Sequence, residues 1–142
     1  MSRLIAIGDI HGCYYTLLKL IELVDIRPED RVVFTGDFVD RGAFPGDVID
    51  LVMDMENAIK LRGNHEQMLL DYVDSVDIQM FLMNGGRQTV RGYGCTSDEP
   101  VEFAKVFPLD HKEFLESLKY YHEEPEAFFV HGGFCPPPPG VK

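Results

Sequence analysis

Short apolar segments alternate with segments of helical periodicity over the first 61 residues of the chain. The apolar segments are short and partly β-branched, so they predict buried strands, whereas apolar side chains three and four positions apart predict amphipathic helices. The strands are predicted at 3–7, 31–35 and 58–61, and the helices at 14–24 and 48–55. This βαβαβ order favours parallel strands joined by right-handed crossovers and predicts an α/β fold.

The pattern becomes less regular after residue 65, where helical periodicity dominates. Further helices are predicted at 65–73, 78–83, 101–107 and 112–121, a turn at 84–86 and a loop at 91–94. We interpret residues 66–124 as a helical insert that caps one side of the site. An apolar strand is predicted at 127–130, and four prolines at 136–139 favour an extended polyproline II conformation in the tail, residues 136–142.

The length and composition fit a single globular domain, residues 1–142, with 45% hydrophobic and 26% charged residues. The net charge of −11, without a basic stripe, argues against nucleic acid as a partner. No apolar segment approaches the roughly 20 residues that span a bilayer, so we expect no membrane partner. The three cysteines show no CxxC spacing and no secretory signal is recognisable, which favours the reducing cytoplasm.

Four polar clusters lie at the ends of the predicted strands. They are GDIHG at 8–12, GDFVDRG at 36–42, RGNHE at 62–66 and VHGG at 130–133. Because ligands bind beyond the carboxyl ends of parallel strands, we expect the first three clusters to meet at one edge of the sheet. Asp, Asn and His side chains supply the oxygen and nitrogen ligands of divalent ions, so the clusters predict a metal site.

The spacing of the candidate ligands matches the strand order. Asp9 and His11 are two positions apart, so both side chains can meet one ion. Asp37 follows 28 positions after Asp9, about one βα unit, and can bind this ion with one oxygen and a second ion with the other. Asn64 and His131 would then hold the second ion. Two neighbouring ions suit attack on a phosphate ester, because they lower the pKa of a shared water and neutralise developing charge.

The clusters also contain candidates for phosphate binding and proton transfer. Arg41 and Arg62 offer paired donors to phosphoryl oxygens, with a surface salt bridge as the alternative. His65 could protonate the leaving oxygen, and Asp40 could raise the pKa of this imidazole by accepting a hydrogen bond from its other nitrogen. The alternative for Asp40 is a helix N-cap or a loop hydrogen bond.

The other chemically active side chains are assigned structural roles. We predict that His111 and His122 lie on polar helical faces at the surface, and that Cys13 is a small buried or helix-starting residue rather than a nucleophile. Five aromatic side chains of the insert are predicted to pack in the core. They are Phe103, Phe107, Phe114, Tyr120 and Tyr121.

Taken in order, GDIHG, GDFVDRG, RGNHE and VHGG resemble the motif series of the calcineurin-like metallophosphoesterases, specifically the phosphoprotein phosphatase superfamily. The series spans residues 8–133, most of the chain. Within the superfamily, GDIHGCY, RGNHEQM and the later NGG resemble the bacterial and bacteriophage serine/threonine phosphatases. Symmetrical diadenosine tetraphosphatases share much of the same pattern.

This resemblance implies a β-sandwich flanked by helices, of which the βαβαβ segment is the start, and two divalent ions. Manganese is the first expectation for the metal, with iron or zinc as alternatives. The resemblance also implies the role of each side chain in the clusters. Asp9 and His11 would hold one ion, Asp37 would bridge, Asn64 and His131 would hold the other, His65 would pair with Asp40, and Arg41 and Arg62 would bind phosphate.

The sequence departs from this family after His131. Family members continue with a further arginine, a Gly-His motif that completes the second metal, and most of the second sheet. Residues 134–142 contain none of these features. We therefore expect a chain truncated at the C-terminus, with an incomplete second sheet and an apolar face that another chain or a second copy would cover.

The motif series predicts a metal-dependent phosphoester hydrolase, in first place a serine/threonine protein phosphatase. A metal-bridging hydroxide would attack phosphorus directly, and His65 would act as the general acid. The substrate would be a phosphoprotein or a small phosphoester. One alternative is a symmetrical dinucleoside tetraphosphatase. A second alternative is a truncated, weakly active or non-catalytic metal-binding or interaction protein.

Overall fold

A parallel sheet forms the centre of the computed structural model, which describes residues 2–133 of the chain. Its strands are β1 (Leu4–Ile7), β2 (Arg31–Phe34) and β3 (Ile59–Lys60). Strand β2 lies in the middle, with Phe34 opposite Ile7 on one side and opposite Lys60 on the other. The three strands therefore end at the same edge, and the predicted α/β fold is confirmed.

Two helices connect these strands, as the apolar periodicity predicts. They are α1 (Tyr14–Val24) and α2 (Pro45–Asp54). Helix α2 begins with Pro45, a residue suited to the first helical turn, and buries Val48, Ile49 and Val52 completely. Helix α1 buries Leu17 but leaves Leu23 71% exposed, so only one of its faces packs on the described core.

Five helices follow β3 in the described part of the chain. They are α3 (Asn64–Val73), α4 (Ile78–Phe81), α5 (Arg87–Gly92), α6 (Pro100–Phe103) and α7 (Leu109–Ser117). A kinked segment, Leu82–Gly86, joins α4 to α5, and its non-helical residues Asn84 and Gly85 lie at the predicted turn. The loop predicted at 91–94 begins two residues too early, because Thr89 and Val90 are buried and hold the helix as far as Gly92.

The helix predicted at 112–121 is too long, because residues 121–124 form a strand. Strand β4 (Tyr121–Glu124) pairs antiparallel with β5 (Ala127–Val130) in a second, small sheet. The exposure of β4 alternates with the period of two that a half-buried strand shows. Similarly, the helix predicted at 101–107 is limited to Pro100–Phe103.

The small sheet is attached to the large one by ion pairs. Arg31 donates to Glu124 and to Glu126, each at 2.6 Å. The predicted polyproline tail, residues 136–142, lies outside the described residues. Among the helices of the described part, none is long and apolar enough to cross a membrane.

The aromatic core prediction is correct for part of the set. Phe103 and Phe107 are buried and stack at 5.0 Å, and Phe114 packs against the core from its edge. Tyr120 and Tyr121, by contrast, are 63% and 58% exposed. These two tyrosines follow the end of α7, so the face that buries the rest of the set does not continue to them.

The surface assignment of His111 is wrong, since its side chain is buried between three elements. The ring lies 2.8 Å from the Tyr93 hydroxyl and 2.9 Å from a carboxylate oxygen of Asp50 on α2. His122 belongs to strand β4 rather than to a helix. Its side chain is half-buried, with Nε2 3.0 Å from a carboxylate oxygen of Glu124. Cys13 immediately precedes α1 and is exposed.

Candidate active site

The first two polar clusters are joined by backbone hydrogen bonds at the carboxyl edge of the sheet. The amides of Ile10 and His11 both donate to the Asp37 carbonyl at 2.9 Å. Gly12 and Gly42 then approach so closely that a Cβ on Gly42 would lie 2.1 Å from the His11 carbonyl oxygen. Glycine is therefore required at position 42, because any side chain there would separate the two loops.

The Asp37 carboxylate lies between two imidazoles. One of its oxygens is 3.6 Å from His11 Nε2, and the other is 3.3 Å from His131 Nε2. Both rings are fixed from behind, because His11 Nδ1 donates to the Val39 carbonyl at 2.8 Å and His131 Nδ1 donates to the Thr35 carbonyl at 2.9 Å. With the proton on Nδ1, each Nε2 presents its lone pair to the site, as metal-binding histidines do.

The remaining predicted ligands lie beside these rings. Asp9 has an oxygen 3.9 Å from His11 Nε2, and Asn64 Oδ1 is 3.0 Å from His131 Nε2. Ligand atoms of Asp9, Asp37 and His131 all lie within 4.8 Å of one another. Carboxylate, amide and imidazole donors directed to one place fit divalent cations. The structure thus brings all five predicted ligands together.

His65 and Asp40 form a buried pair at the same place. His65 Nδ1 lies 2.7 Å from Asp40 Oδ2, and the two side chains are 3% and 0% exposed. The hydrogen bond to Asp40 raises the pKa of His65, and burial of the ring opposes this shift. Burial raises the pKa of Asp40, although hydrogen bonds from His65 and Thr89 favour its charged form. Asp40 is therefore bonded to the imidazole rather than to a helix terminus.

Arg41 lies over the imidazoles. Its two terminal nitrogens are 3.0 Å from His11 Nε2 and 3.3 Å from His65 Nε2. The residue is exposed, so its donors face both the site and solvent. The Arg41 guanidinium thus lies beside the candidate metal ligands.

The Arg62 guanidinium is bonded elsewhere. One terminal nitrogen donates to Gln67 Oε1 and to the Tyr120 hydroxyl, both at 3.0 Å. The other donates to the carbonyls of Leu115 and Glu116 at 2.9 and 2.7 Å, in the last turn of α7. A cation is favourable at a helix C-terminus, and its four terminal N–H donors are all used here. This placement argues against the predicted contact with phosphate.

Glu66 is a functional residue that the sequence reasoning missed. Its buried carboxylate accepts hydrogen bonds from the amides of Asp37, Phe38 and Gly63 at 2.8, 2.7 and 2.8 Å. Burial raises its pKa, against the effect of these bonds. It thus holds the second and third clusters together. The available signal is a glutamate three residues after the helix N-cap Gly63, the position of a capping box.

Thr89 is a second missed residue, contributed by α5. Its hydroxyl donates to Asp40 Oδ1 at 2.6 Å and accepts from the Asp40 amide at 2.8 Å. Because 49 positions separate the two residues, no local pattern could indicate this contact.

The backbone of the site contains several non-glycine residues in the left-handed region. These are His11, Asp37, Asp40 and Arg41, with φ of 46°, 60°, 70° and 65°. Such conformations are unfavourable for side chains with a Cβ and occur together at functional sites, where the surrounding structure maintains them.

Comparison with known proteins identifies a family and related folds. A family model described as calcineurin-like phosphoesterase matches residues 2–139. Serine/threonine-protein phosphatase 1 of Salmonella typhimurium is 42% identical over 82 residues, which cover 56% of this chain and 37% of that protein. This chain therefore spans little more than a third of that relative.

Two solved structures share the fold at lower identity. A protein assigned as a diadenosine tetraphosphatase has a TM-score of 0.66 and 22% identity, covering 94% of this chain and 55% of its own. A cold-active protein tyrosine phosphatase has a TM-score of 0.66 and 21% identity, and the match covers 95% of this chain and 44% of the phosphatase chain. At these identities the likeness concerns the fold alone.

Proposed function

The chain belongs to the calcineurin-like phosphoesterase family, and on that basis we propose that it hydrolyses phosphoserine and phosphothreonine esters with two divalent ions. One observation carries the proposal. The two oxygens of Asp37 face different imidazoles, at 3.6 Å from His11 and 3.3 Å from His131. A carboxylate between two ligand sets is what a pair of neighbouring ions requires. The 42% identity to a serine/threonine-protein phosphatase supports this substrate class.

Five side chains would hold the ions, with Asp37 shared between them. They are Asp9, His11, Asp37, Asn64 and His131. The mixture of oxygen and imidazole donors suits manganese, with iron and zinc as alternatives. When bound, the ions would supply a water of lowered pKa and neutralise charge on the phosphate.

The chain's own groups supply proton transfer and phosphate binding. Asp40 fixes Nδ1 of His65, so that Nε2 of the same ring faces the site, 3.9 Å from Asp37 Oδ2. The raised pKa of His65 favours the protonated ring, which could donate its Nε2 proton to the leaving alkoxide. Arg41 would bind the phosphoryl oxygens from the open side, as guanidinium groups commonly do.

A symmetrical dinucleoside tetraphosphatase is the second candidate. It is retained because the motif series of this chain also resembles that of the symmetrical diadenosine tetraphosphatases, and the fold shared over 94% of this chain is compatible with it. Both reactions would use the same residues around Asp37. The two functions therefore differ in what lies beyond the phosphate, and a direct comparison of substrates separates them.

The test begins with the chain stripped by a chelator and reloaded with manganese. We expect two ions per chain by elemental analysis, and hydrolysis of p-nitrophenyl phosphate only after reloading. A phosphoserine peptide should be hydrolysed faster than diadenosine tetraphosphate, and the reverse order would favour the second candidate. Asp37→Asn should lose metal and turnover, whereas Asp54→Asn, at an exposed position of α2, should retain both. If the chain binds one ion or none and shows no turnover above buffer, the proposal is wrong.

A further inference from the structure

Helix α5 and the segment before it contact the second cluster at two successive residues. The Thr89 hydroxyl bonds to Asp40, and the Gly85 carbonyl accepts from the Arg41 amide at 3.1 Å. A Cβ on Gly85 would lie 2.8 Å from Arg41 Cγ, so the two segments are in direct contact. Thr89 and Asp40 are both 0% exposed, which excludes solvent from the bond between them.

The loop that carries these residues needs external support. Asp40 and Arg41 both have left-handed φ, at 70° and 65°, a conformation that costs free energy for residues with a Cβ. A hydroxyl has one proton and two lone pairs, so Thr89 can donate to Oδ1 and accept from the amide of Asp40 at the same time. These two bonds fix both the backbone and the rotation of the carboxylate.

The rotation of the carboxylate determines where His65 points. With Oδ1 of Asp40 held by Thr89, Oδ2 is directed to His65 Nδ1 at 2.7 Å. This bond keeps the proton on Nδ1 in the neutral ring and aims Nε2 at the site. A hydrogen-bonded series therefore runs from α5 through Asp40 to the imidazole that would donate the proton.

We propose that Thr89 is a positioning residue for phosphoester hydrolysis, because its hydroxyl fixes the Asp40 carboxylate in the orientation that aims His65 at the leaving oxygen. This inference rests on the proposed function and adds to it a residue from the helical insert. The insert would thus take part in catalysis through α5.

A merely structural role explains the threonine less well. Its neighbour Val90 is also 0% exposed and already anchors α5 in the core. Threonine is a weaker helix former than most residues, so the helix itself gains nothing from it. Valine would fill the same space without the hydroxyl, and the hydroxyl is used on Asp40 alone.

The first experiment compares two aryl phosphates in manganese-loaded Thr89→Val and Thr89→Ser. Phenol leaves less readily than 4-nitrophenol and depends more on a general acid. We expect Thr89→Val to lower kcat for phenyl phosphate roughly tenfold and to have a much smaller effect on 4-nitrophenyl phosphate. Losses of this size are typical when a group that orients a histidine of a site is removed. Thr89→Ser should restore both rates. Val90→Ala, which loosens the same helix, should change the two rates by the same factor.

The second experiment does not depend on turnover or metal. Long-range ¹H–¹⁵N spectra of the metal-free chain report which imidazole nitrogen carries the proton, and the His65 signals are identified by their loss in His65→Asn. At a pH where the ring is neutral, we expect Nδ1–H in the wild-type protein and in Thr89→Ser, and a mixture of tautomers in Thr89→Val.

The two experiments separate the failure of this inference from failure of the proposed function. If the wild-type chain hydrolyses neither ester, the proposed function fails, and an unchanged tautomer in Thr89→Val then overturns the role of Thr89 independently. If the wild-type chain is active, equal rate changes with both esters in Thr89→Val overturn the role of Thr89.

Discussion

The two ends of the parallel sheet each bury an aspartate, and the two carboxylates have opposite properties. Before β2, Asp30 accepts hydrogen bonds from the side chain and amide of Arg3, both at 3.1 Å, and from the Arg27 amide at 2.9 Å. The hydrogen bond from Arg3 is the main reason why the pKa of Asp30 lies well below its usual range. After β2, Asp40 is bonded to His65 and Thr89, and burial raises its pKa.

The difference lies in the partner. An arginine does not give up its proton, so the carboxylate that it saturates contributes charge pairing and nothing else. A histidine can release its proton near neutral pH, so the carboxylate beside it controls a reactive group. Burial of an aspartate therefore indicates chemistry only where its partner can titrate.

The two arginines of the motifs show the same contrast. Arg62 donates from both terminal nitrogens to α7, Gln67 and Tyr120. Arg41 instead lies exposed beside the Nε2 atoms of His11 and His65. An arginine whose donors are used within the fold stabilises it, whereas one placed over a ligand cluster remains able to bind substrate.

The largest expected effect is on the His65 side of this comparison. His65→Asn removes the proposed proton donor, so we expect kcat for phenyl phosphate to fall roughly 10²- to 10⁴-fold. The manganese content, measured by elemental analysis, should change little. His122→Asn is the matched control, because this histidine lies in strand β4. Equal activity in His65→Asn and wild type would show that the buried pair is not the acid.

Glu66→Gln should have the next largest effect, now on stability. The amide has one acceptor oxygen and directs N–H groups at backbone donors, so the buried amides that bond to one of the two Glu66 oxygens lose their partner. We expect the free energy of unfolding in urea to fall by about 3 kcal/mol, and manganese affinity to fall roughly 10- to 100-fold. Glu56→Gln, at an exposed position, should leave both unchanged. If neither the free energy of unfolding nor the manganese affinity falls in Glu66→Gln, the role assigned to Glu66 is wrong.

A paired substitution tests the two arginines. Arg41→Ala should lower kcat/KM for p-nitrophenyl phosphate roughly 10²-fold, since it removes a donor to the transferred phosphate. Arg62→Ala should lower kcat/KM far less, and should instead reduce the free energy of unfolding by about 2 kcal/mol, because the end of α7 loses its cap. If the two variants lose kcat/KM equally, the sequence-based prediction for Arg62 is restored and the contrast drawn here is wrong.

These contrasts mark where sequence reasoning ends. The three parallel strands, strand β5 and the convergence of the five candidate ligands could be predicted, because strand periodicity and cluster position are local properties of the chain. The contacts of Arg62 with Tyr120 and the end of α7 and the Asp40–Thr89 bond could not, because contacts 49 to 58 positions apart depend on how the insert packs. His111 was misassigned for the same reason, since a polar face on an isolated helix becomes buried once Tyr93 and Asp50 pack against it.

The smallest expected effect concerns Asp30, and its sign follows from the direction of the pKa shift. Because the pKa of Asp30 is depressed in the folded chain, its stabilising contribution is fully present above the unfolded value, roughly 3.9, and is lost as the pH falls toward the folded value. Asp30→Asn should therefore unfold at lower urea than wild type at pH 7, and this difference should shrink as the pH falls below about 4.

The matched control for Asp30 is Asp25→Asn. Asp25 also bonds to Arg27, at 3.0 Å, but its side chain is 72% exposed. An exposed ion pair contributes little, so this variant should unfold like wild type at every pH. If the urea difference for Asp30→Asn stays constant from neutral to acid pH, the arginine does not control the charge of Asp30. The contrast between the two ends of the sheet would then rest on burial alone.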